Sequence, residues 1–228
     1  PVLNEDIKTD IAIIGGGIVG IATAYMLIKE GLKATIIEAD HILQGTTAHT
    51  TAKITSQHGL IYSKIKKKMG IEFARQYADA NEAAIRMVEK ISSENNIQCD
   101  FTLQSAFDYT QREGYIEKIS EEVEVAKSLG IKAAYVEEIP FNFKIKAAIR
   151  FDNQAQFHPR KFLLPLAEMI AGSGAQIFEQ SRVVNIEEGN KDGNYVLITN
   201  QGKKVTAGKI IIASHYPCYN KQGLYFAR

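Results

Sequence analysis

The chain has 228 residues, 45% of them apolar, and its 27 basic and 26 acidic side chains leave a net charge of +1. That length can bury one large core or two modest ones, and the charge balance excludes a global field drawing the molecule to nucleic acid or anionic lipid, so a small-molecule partner is expected. The two cysteines, Cys99 and Cys218, match no metal or redox spacing, which fits free thiols in a reducing compartment and a cytoplasmic location.

In chain order, Asp10-Ile11-Ala12-Ile13-Ile14 is a β-branched run suited to a strand buried on both faces. Three glycines follow, and Ile18 to Lys29 reads as a buried helix that Gly31 ends with a left-handed cap. Ala34 to Ile37 reads as a second strand, with Glu38 at its end. This βαβ pattern implies parallel strands and a right-handed crossover. The uncharged stretch from Ile11 to Ile28 approaches the length of a bilayer span. The glycines split it into strand and helix, so no membrane span is expected.

From Leu60 the texture becomes amphipathic helix, with Ile61, Ile65, Met69, Phe73 and Tyr77 on one stripe and Gly70 as a break. Phe101 to Tyr109 alternates like a half-buried strand, and Ile116, Ile119, Val123, Ala126 and Leu129 form a helical stripe capped by Gly130. Further strands are expected at Ala133–Val136 and Ile145–Phe151. Both hydrophobic periods in one region indicate an α+β domain. Pro159 suits the start of a helix running to Ile170 and stopped by Gly172, with Pro165 absorbed as a kink or a restart. Short strands then follow at Ala175–Phe178, Arg182–Ile186, Tyr195–Thr199, Lys203–Thr206 and Ile210–Ala213, with turn signals at Asp192-Gly193 and Gln201-Gly202.

The glycines carry the first chemistry. Gly15 permits a tight turn, Gly17 lets the backbone approach a pyrophosphate, and Gly20 lets helix and strand pack closely. The pyrophosphate would sit on the free N–H groups at the positive end of the helix, those of Ile18 and Val19 included. Glu38, with Ala39 beside it, is placed for its carboxylate to accept both hydroxyls of an adenosine ribose, and its charge disfavours a 2′-phosphate. A lone G-x-G-x-x-G says little. Framed by strand, helix, strand and terminal acid, it specifies a dinucleotide site in a Rossmann-like α/β fold, against the simpler reading of a glycine-rich turn with Glu38 solvated.

The string IAIIGGGIVGIATAYMLIKEGLKATIIEAD resembles the start of the D-amino-acid oxidase, glycine oxidase and sarcosine oxidase family of FAD enzymes. Two later stretches resemble the same family in the same order. FHPRKFLLPLAEMIAGSGAQIFEQSRVVNIE, residues 157 to 187, is similar to the helix, strand and segment whose backbone meets the adenine, which places Val183 there. KIIIASHYP, residues 209 to 217, is similar to the strand returning to the dinucleotide site, with Ala213 and Ser214 against the cofactor. The resemblance implies FAD rather than NAD. It also implies a discontinuous FAD-binding domain, residues 1–59 and 158–228, around a substrate-side α+β domain at 60–157. Gly45 to Lys53 matches the family's hydroxyl-rich loop beside pyrophosphate and flavin, so Thr46 and Thr47 become candidate phosphate contacts.

His49 aligns with the histidine that carries flavin covalently in the dimethylglycine and sarcosine dehydrogenase branch. Noncovalent contact near the ring, or a surface histidine satisfied by water, are the other readings. His215 departs from the family, where many members have glycine. Its segment and the Thr-Thr-Ala-His-Thr-Thr loop resemble a bacterial branch whose full proteins end in a Rieske iron–sulfur domain, although this chain has no cysteine and histidine pairs for such a cluster. Starting at Pro1 and ending at Arg228, the chain is expected to be part of a longer protein.

The activity implied is oxidation of a C–H bond beside an amine or amino-acid nitrogen, with hydride passing to flavin N5. An NAD-dependent dehydrogenase and a non-catalytic nucleotide-binding fragment are the alternatives. No catalytic acid or base is assigned, because the family commonly holds the substrate carboxylate with residues of the C-terminal half. The histidines at 41, 49, 58, 158 and 215 show no ligand spacing, so no metal is expected. Lys64, Lys66, Lys67 and Lys68 read as a solvated helix face, as do Glu121, Glu122 and Glu124. Tyr62, Phe107 and Tyr109 read as core or pocket lining.

Overall fold

The structure is a computed structural model, and it describes residues 1–188 and 193–215. Asp192, Tyr216, Pro217, Cys218 and the terminal Tyr225–Arg228 therefore lie outside the described residues. The chain divides into two compact units, residues 1–50 with 159–228 and residues 51–158.

Among the described residues the first unit is built on a six-stranded sheet, in the order β7 (Gln176–Phe178), β2 (Ala34–Ile37), β1 (Ile7–Ile14), β10 (Lys204–Ile212), β9 (Tyr195–Thr199) and β8 (Val183–Glu188). Its central strand, β1 (Ile7–Ile14), is half exposed on alternate residues up to Asp10 and buried from Ile11 to Ile14, where both faces are covered. Helix α1 (Ile18–Lys29) follows the glycines and leads to β2 (Ala34–Ile37), which pairs with β1 in parallel. On its other side β1 pairs in parallel with β10 (Lys204–Ile212). The sequence suggests two short strands there, but Gly208 does not interrupt them. One strand runs through because its first half is held between β1 and β9 (Tyr195–Thr199), and its second half continues along β1.

The outer strands β7 (Gln176–Phe178) and β8 (Val183–Glu188) complete the sheet, β7 parallel to β2 and β8 antiparallel to β9. Helix α5 (Pro159–Gly172) packs on α1 and holds Pro165 without a break into two helices. Pro159 sits at its first position, where the missing N–H costs nothing.

The second unit has a sheet in the order β3-β6-β4, with β5 also beside β6. These strands are β3 (Lys53–Ile54), β4 (Thr102–Thr110), β5 (Ala133–Val136) and β6 (Ala147–Gln156), and all the pairings are antiparallel. Helices α2 (Ile61–Met69), α3 (Ile71–Glu94) and α4 (Ile116–Ser128) cover one face, with Tyr62, Val123, Ile149 and Phe151 among the buried centre. Gly70, at φ 94°, breaks α2 from α3 in a conformation L side chains rarely adopt.

This unit starts at Thr51, ahead of the change in texture at Leu60, because Lys53 and Ile54 pair with Gln156 and Ala155. Two residues carry no alternation to announce a strand. Glu122 also differs from its expected surface position. It is fully buried, and its carboxylate oxygens accept the N–H groups of Tyr62 and Ser63, each at 2.7 Å. It caps α2 from another helix, as an N-terminus with no side-chain cap of its own requires. Tyr62 belongs to the core and donates its hydroxyl to the Ser56 carbonyl at 2.7 Å.

Candidate dinucleotide site

The glycine loop lies at the carboxyl end of β1, which is flanked by β2 and β10. Ligands bind at such a point in open α/β sheets. Gly15 donates to the Ile37 carbonyl at 2.9 Å, and Ala213 donates to the Ile14 carbonyl at 2.9 Å, so both flanking strands are tied to the turn. Gly15 adopts φ 108°, and a Cβ there would come 2.8 Å from the Ala213 carbonyl oxygen. A Cβ on Gly20 would overlap the carbonyl oxygen of Gly15. That glycine is required by helix-on-strand packing whether or not a ligand binds.

Gly17 behaves differently. The nearest atom to a Cβ there is the Thr47 hydroxyl oxygen at 3.3 Å, and no other heavy atom lies within 4 Å. It stands at the N-cap of α1 and supplies no side-chain cap, so the helix start keeps outward-facing N–H groups. Ile18 and Val19 are 41% and 58% exposed beside it. An open backbone cradle at the positive end of a helix fits a pyrophosphate. Thr47, buried in the short helical turn Gly45–His49, accepts the Ile18 N–H at 3.1 Å and so joins the hydroxyl-rich loop to α1. Its own hydrogen remains available for an anion.

Glu38 ends β2 half-buried, with Oε2 accepting the Gly16 N–H at 2.6 Å and Oε1 accepting the Asp40 N–H at 2.9 Å. The carboxylate thus sets the glycine loop, and each oxygen keeps a lone pair for a further donor. Ala39 and Thr46 are exposed on the flanking loops.

Gly15, Gly17, Ile18, Gly20, Glu38, Thr47 and Ala213 are therefore brought together by contact, with Ser214 next in line. His49 is exposed and its Nδ1 donates to the Gly45 carbonyl at 2.7 Å, which leaves the lone pair of the neutral ring on Nε2. His215 is exposed as well. Val183 is connected less directly. Its side chain is buried in the core with Ile14 and Ile37, and only its backbone could meet a ligand.

Several positioning residues escape sequence reasoning. Leu43, fully buried at φ 56°, donates its N–H to the Gly16 carbonyl at 2.9 Å. Ile42 packs so closely that a Cβ on Gly16 would lie 2.6 Å from its Cγ2. Glu179 accepts the Ile42 N–H at 2.8 Å and pairs with His41 at 3.1 Å. Burial alone would raise the Glu179 carboxyl, but the Ile42 N–H and His41 outweigh it and hold it below its ordinary value. Residues 178–181, around Glu179, form a strap on the end of β2: the Glu38 N–H donates to the Phe178 carbonyl, the Gln180 N–H to the Asp40 carbonyl and the Ser181 N–H to the Glu38 carbonyl. The apolar pair Ile42-Leu43 after Asp40 was the available signal. Glu179, distant in sequence, offered none.

Among the described residues, no group of three His, Cys, Asp or Glu could hold a metal, and no helix is long and apolar enough to cross a membrane.

Comparison with known proteins agrees with this geometry. The family model for FAD dependent oxidoreductases, DAO, matches residues 10–217. A Bacillus subtilis (strain 168) protein named for a Rieske 2Fe-2S centre, YhfW, is 40% identical over 228 residues, covering 100% of this chain and 44% of its own length. Among solved structures, L-proline dehydrogenase from P. horikoshii superposes with a TM-score of 0.74 at 19% identity, over 93% of this chain and 54% of that one. Glycine oxidase from Bacillus cereus ATCC 14579 gives 0.69 at 20% identity, over 92% and 56%. The chain thus spans about half the length of these relatives. The match also decides the cofactor in favour of FAD over NAD, and the chain belongs to the FAD-dependent oxidoreductase family, DAO.

Proposed function

We propose that this chain holds the cofactor of an enzyme that oxidises a C–H bond next to an amine or amino-acid nitrogen. The observation that carries the reading is the shared anchoring of the glycine loop, Glu38 on the Gly16 amide and Thr47 on the Ile18 amide, in a member of an FAD family. Two structural neighbours named for amino-acid oxidation, L-proline dehydrogenase and glycine oxidase, support the substrate class.

When bound, FAD supplies the two-electron acceptor that takes hydride at N5. The chain's residues do the holding. The amides of Gly17 and Val19 and the hydroxyls of Thr46 and Thr47 are assigned to the pyrophosphate, and Glu38 with Ala39 to the ribose; the Ile18 amide, expected to bind the phosphates directly, instead donates to Thr47 and fixes that hydroxyl. The Val183 backbone is assigned to the adenine, and Ala213, Ser214 and His49 to the remaining cofactor contacts. The second unit is assigned the substrate side. A cytoplasmic location belongs to the same proposal, resting on the free, buried Cys99.

The test is anaerobic mixing of the flavin-loaded protein with glycine, L-proline, sarcosine and glycerol 3-phosphate. Bleaching of the flavin absorbance by an amino acid is expected. Bleaching by the alcohol alone, or by none of the amines, would overturn the substrate class.

A further inference from the structure

The strap between β7 and β8 is fixed through its own backbone. Gln180 and Ser181 donate their N–H groups to the Asp40 and Glu38 carbonyls at 2.9 and 2.8 Å. Ser181 is fully buried, and its hydroxyl donates to the Glu179 carbonyl at 2.8 Å while accepting the Leu3 N–H at 2.9 Å. The Glu179 carboxylate takes no part in these bonds. It reaches instead to the loop that follows β2, where Oε1 accepts the Ile42 N–H at 2.8 Å and Oε2 meets His41 Nδ1 at 3.1 Å.

The bond to Ile42 matters because of the residue that follows. Leu43 has φ 56°, a left-handed backbone that L side chains rarely adopt and that persists only where its surroundings fix it. The Ile42 amide is held by Glu179 on one side, and the Leu43 N–H is held by the Gly16 carbonyl at 2.9 Å on the other. Ile42 Cγ2 meanwhile occupies the space that a Cβ on Gly16 would need. Gly16 is therefore held at its N–H by Glu38, at its carbonyl by Leu43 and at its flank by Ile42. It immediately precedes Gly17, the open end of the cradle. His41 is the lesser partner, since an exposed ion pair contributes little beside a carboxylate bonded to a backbone amide.

We propose that Glu179 is a positioning residue of the cofactor site, holding the glycine loop in its pyrophosphate-binding shape through Ile42 and Leu43 before FAD arrives. A loop already in its bound shape spares the ligand the cost of ordering it, so the carboxylate's contribution reads directly as affinity. The strap also leads into β8, where Val183 begins the segment assigned to the adenine. The effect therefore belongs to the ADP half of the cofactor, and ADP should feel it as fully as FAD. All of these contacts lie within the first unit, and their role rests on the dinucleotide reading of it.

The experiment is titration of the parent, Glu179→Ala, Glu179→Gln and Ile42→Ala with FAD and with ADP, and amide hydrogen exchange of the ligand-free proteins is the second readout. Glu179→Ala is expected to weaken FAD and ADP by the same factor, about tenfold, and Ile42→Ala by a similar factor. Glu179→Gln keeps an acceptor for the Ile42 N–H and should stay within about threefold of the parent. Without ligand, the Leu43 N–H should exchange at least about tenfold faster in Glu179→Ala and recover in Glu179→Gln. Ile42→Ala leaves the strap untouched, so it keeps the test valid even if Glu179→Ala misfolds. Unchanged affinity in Glu179→Ala or Ile42→Ala, or equal losses in Glu179→Ala and Glu179→Gln, would overturn the proposal and leave the FAD site standing. A parent that binds neither FAD nor ADP would overturn the dinucleotide reading and the proposal with it.

Discussion

At the residue scale, the three glycines of the motif do different work, and their substitutions should separate. Gly20→Ala places a methyl on the Gly15 carbonyl and is expected to cost more than about 3 kcal/mol in thermal or denaturant unfolding, because a backbone contact cannot yield. Gly17→Ala is expected to change stability by no more than about 1 kcal/mol, since only the Thr47 hydroxyl oxygen lies near, while FAD affinity falls. Equal stability losses for the two would contradict this division. The spacing of Gly15, Gly17 and Gly20 and the position of Glu38 were legible in the sequence because chain-local geometry dictates them. Glu179, Leu43 and the Thr47 to Ile18 contact were not, because each depends on which loops the fold brings together. Glu122 misled for the same reason. A run of glutamates on a helix reads as solvated until another helix offers bare amides.

Elements are held at their ends by those distant side chains, and two predictions belong here. Removing the Glu122 carboxylate strands the Tyr62 and Ser63 N–H groups in a buried setting, so Glu122→Ala should destabilise the protein by about 2–4 kcal/mol. Glu122→Gln, which keeps an acceptor, should cost about half that. Denaturant midpoints for the pair would check the order. The Glu179 strap should show a pH dependence. A carboxyl held below its ordinary 4.5 in the folded state contributes stability above that pH and loses it as pH falls through the depressed value. Glu179→Gln should therefore be less stable than the parent at pH 7, with the gap closing toward pH 3, in thermal melts. Most elements were readable from periodicity, including α1, β2, β5 and β9 to the residue. β3 was not, since a two-residue strand exists only through its pairing with β6, and β10 was read as two strands because pairing on both sides outweighs a glycine.

At the scale of the whole molecule, the chain interrupts one unit to build another, and only the first unit's ends carry sequence signals for the dinucleotide site. The second unit retains a carboxyl its own fold does not favour. Burial raises Asp108, so its ionised form weakens the native state above the raised value and the penalty disappears as pH falls. Asp108→Asn should melt higher than the parent at pH 7 and converge with it in acid. A lower melting temperature at pH 7 would instead make Asp108 a structural residue.

Whether the first unit holds FAD through its glycine loop and Glu38 is decided by titrating the protein with FAD and following quenching of flavin fluorescence, with ADP and NAD as competitors. Saturable FAD binding displaced by ADP, and weakened about tenfold to a hundredfold in Glu38→Ala, is the predicted result. NAD binding without FAD binding, or FAD binding indifferent to both ADP and Glu38→Ala, would contradict it.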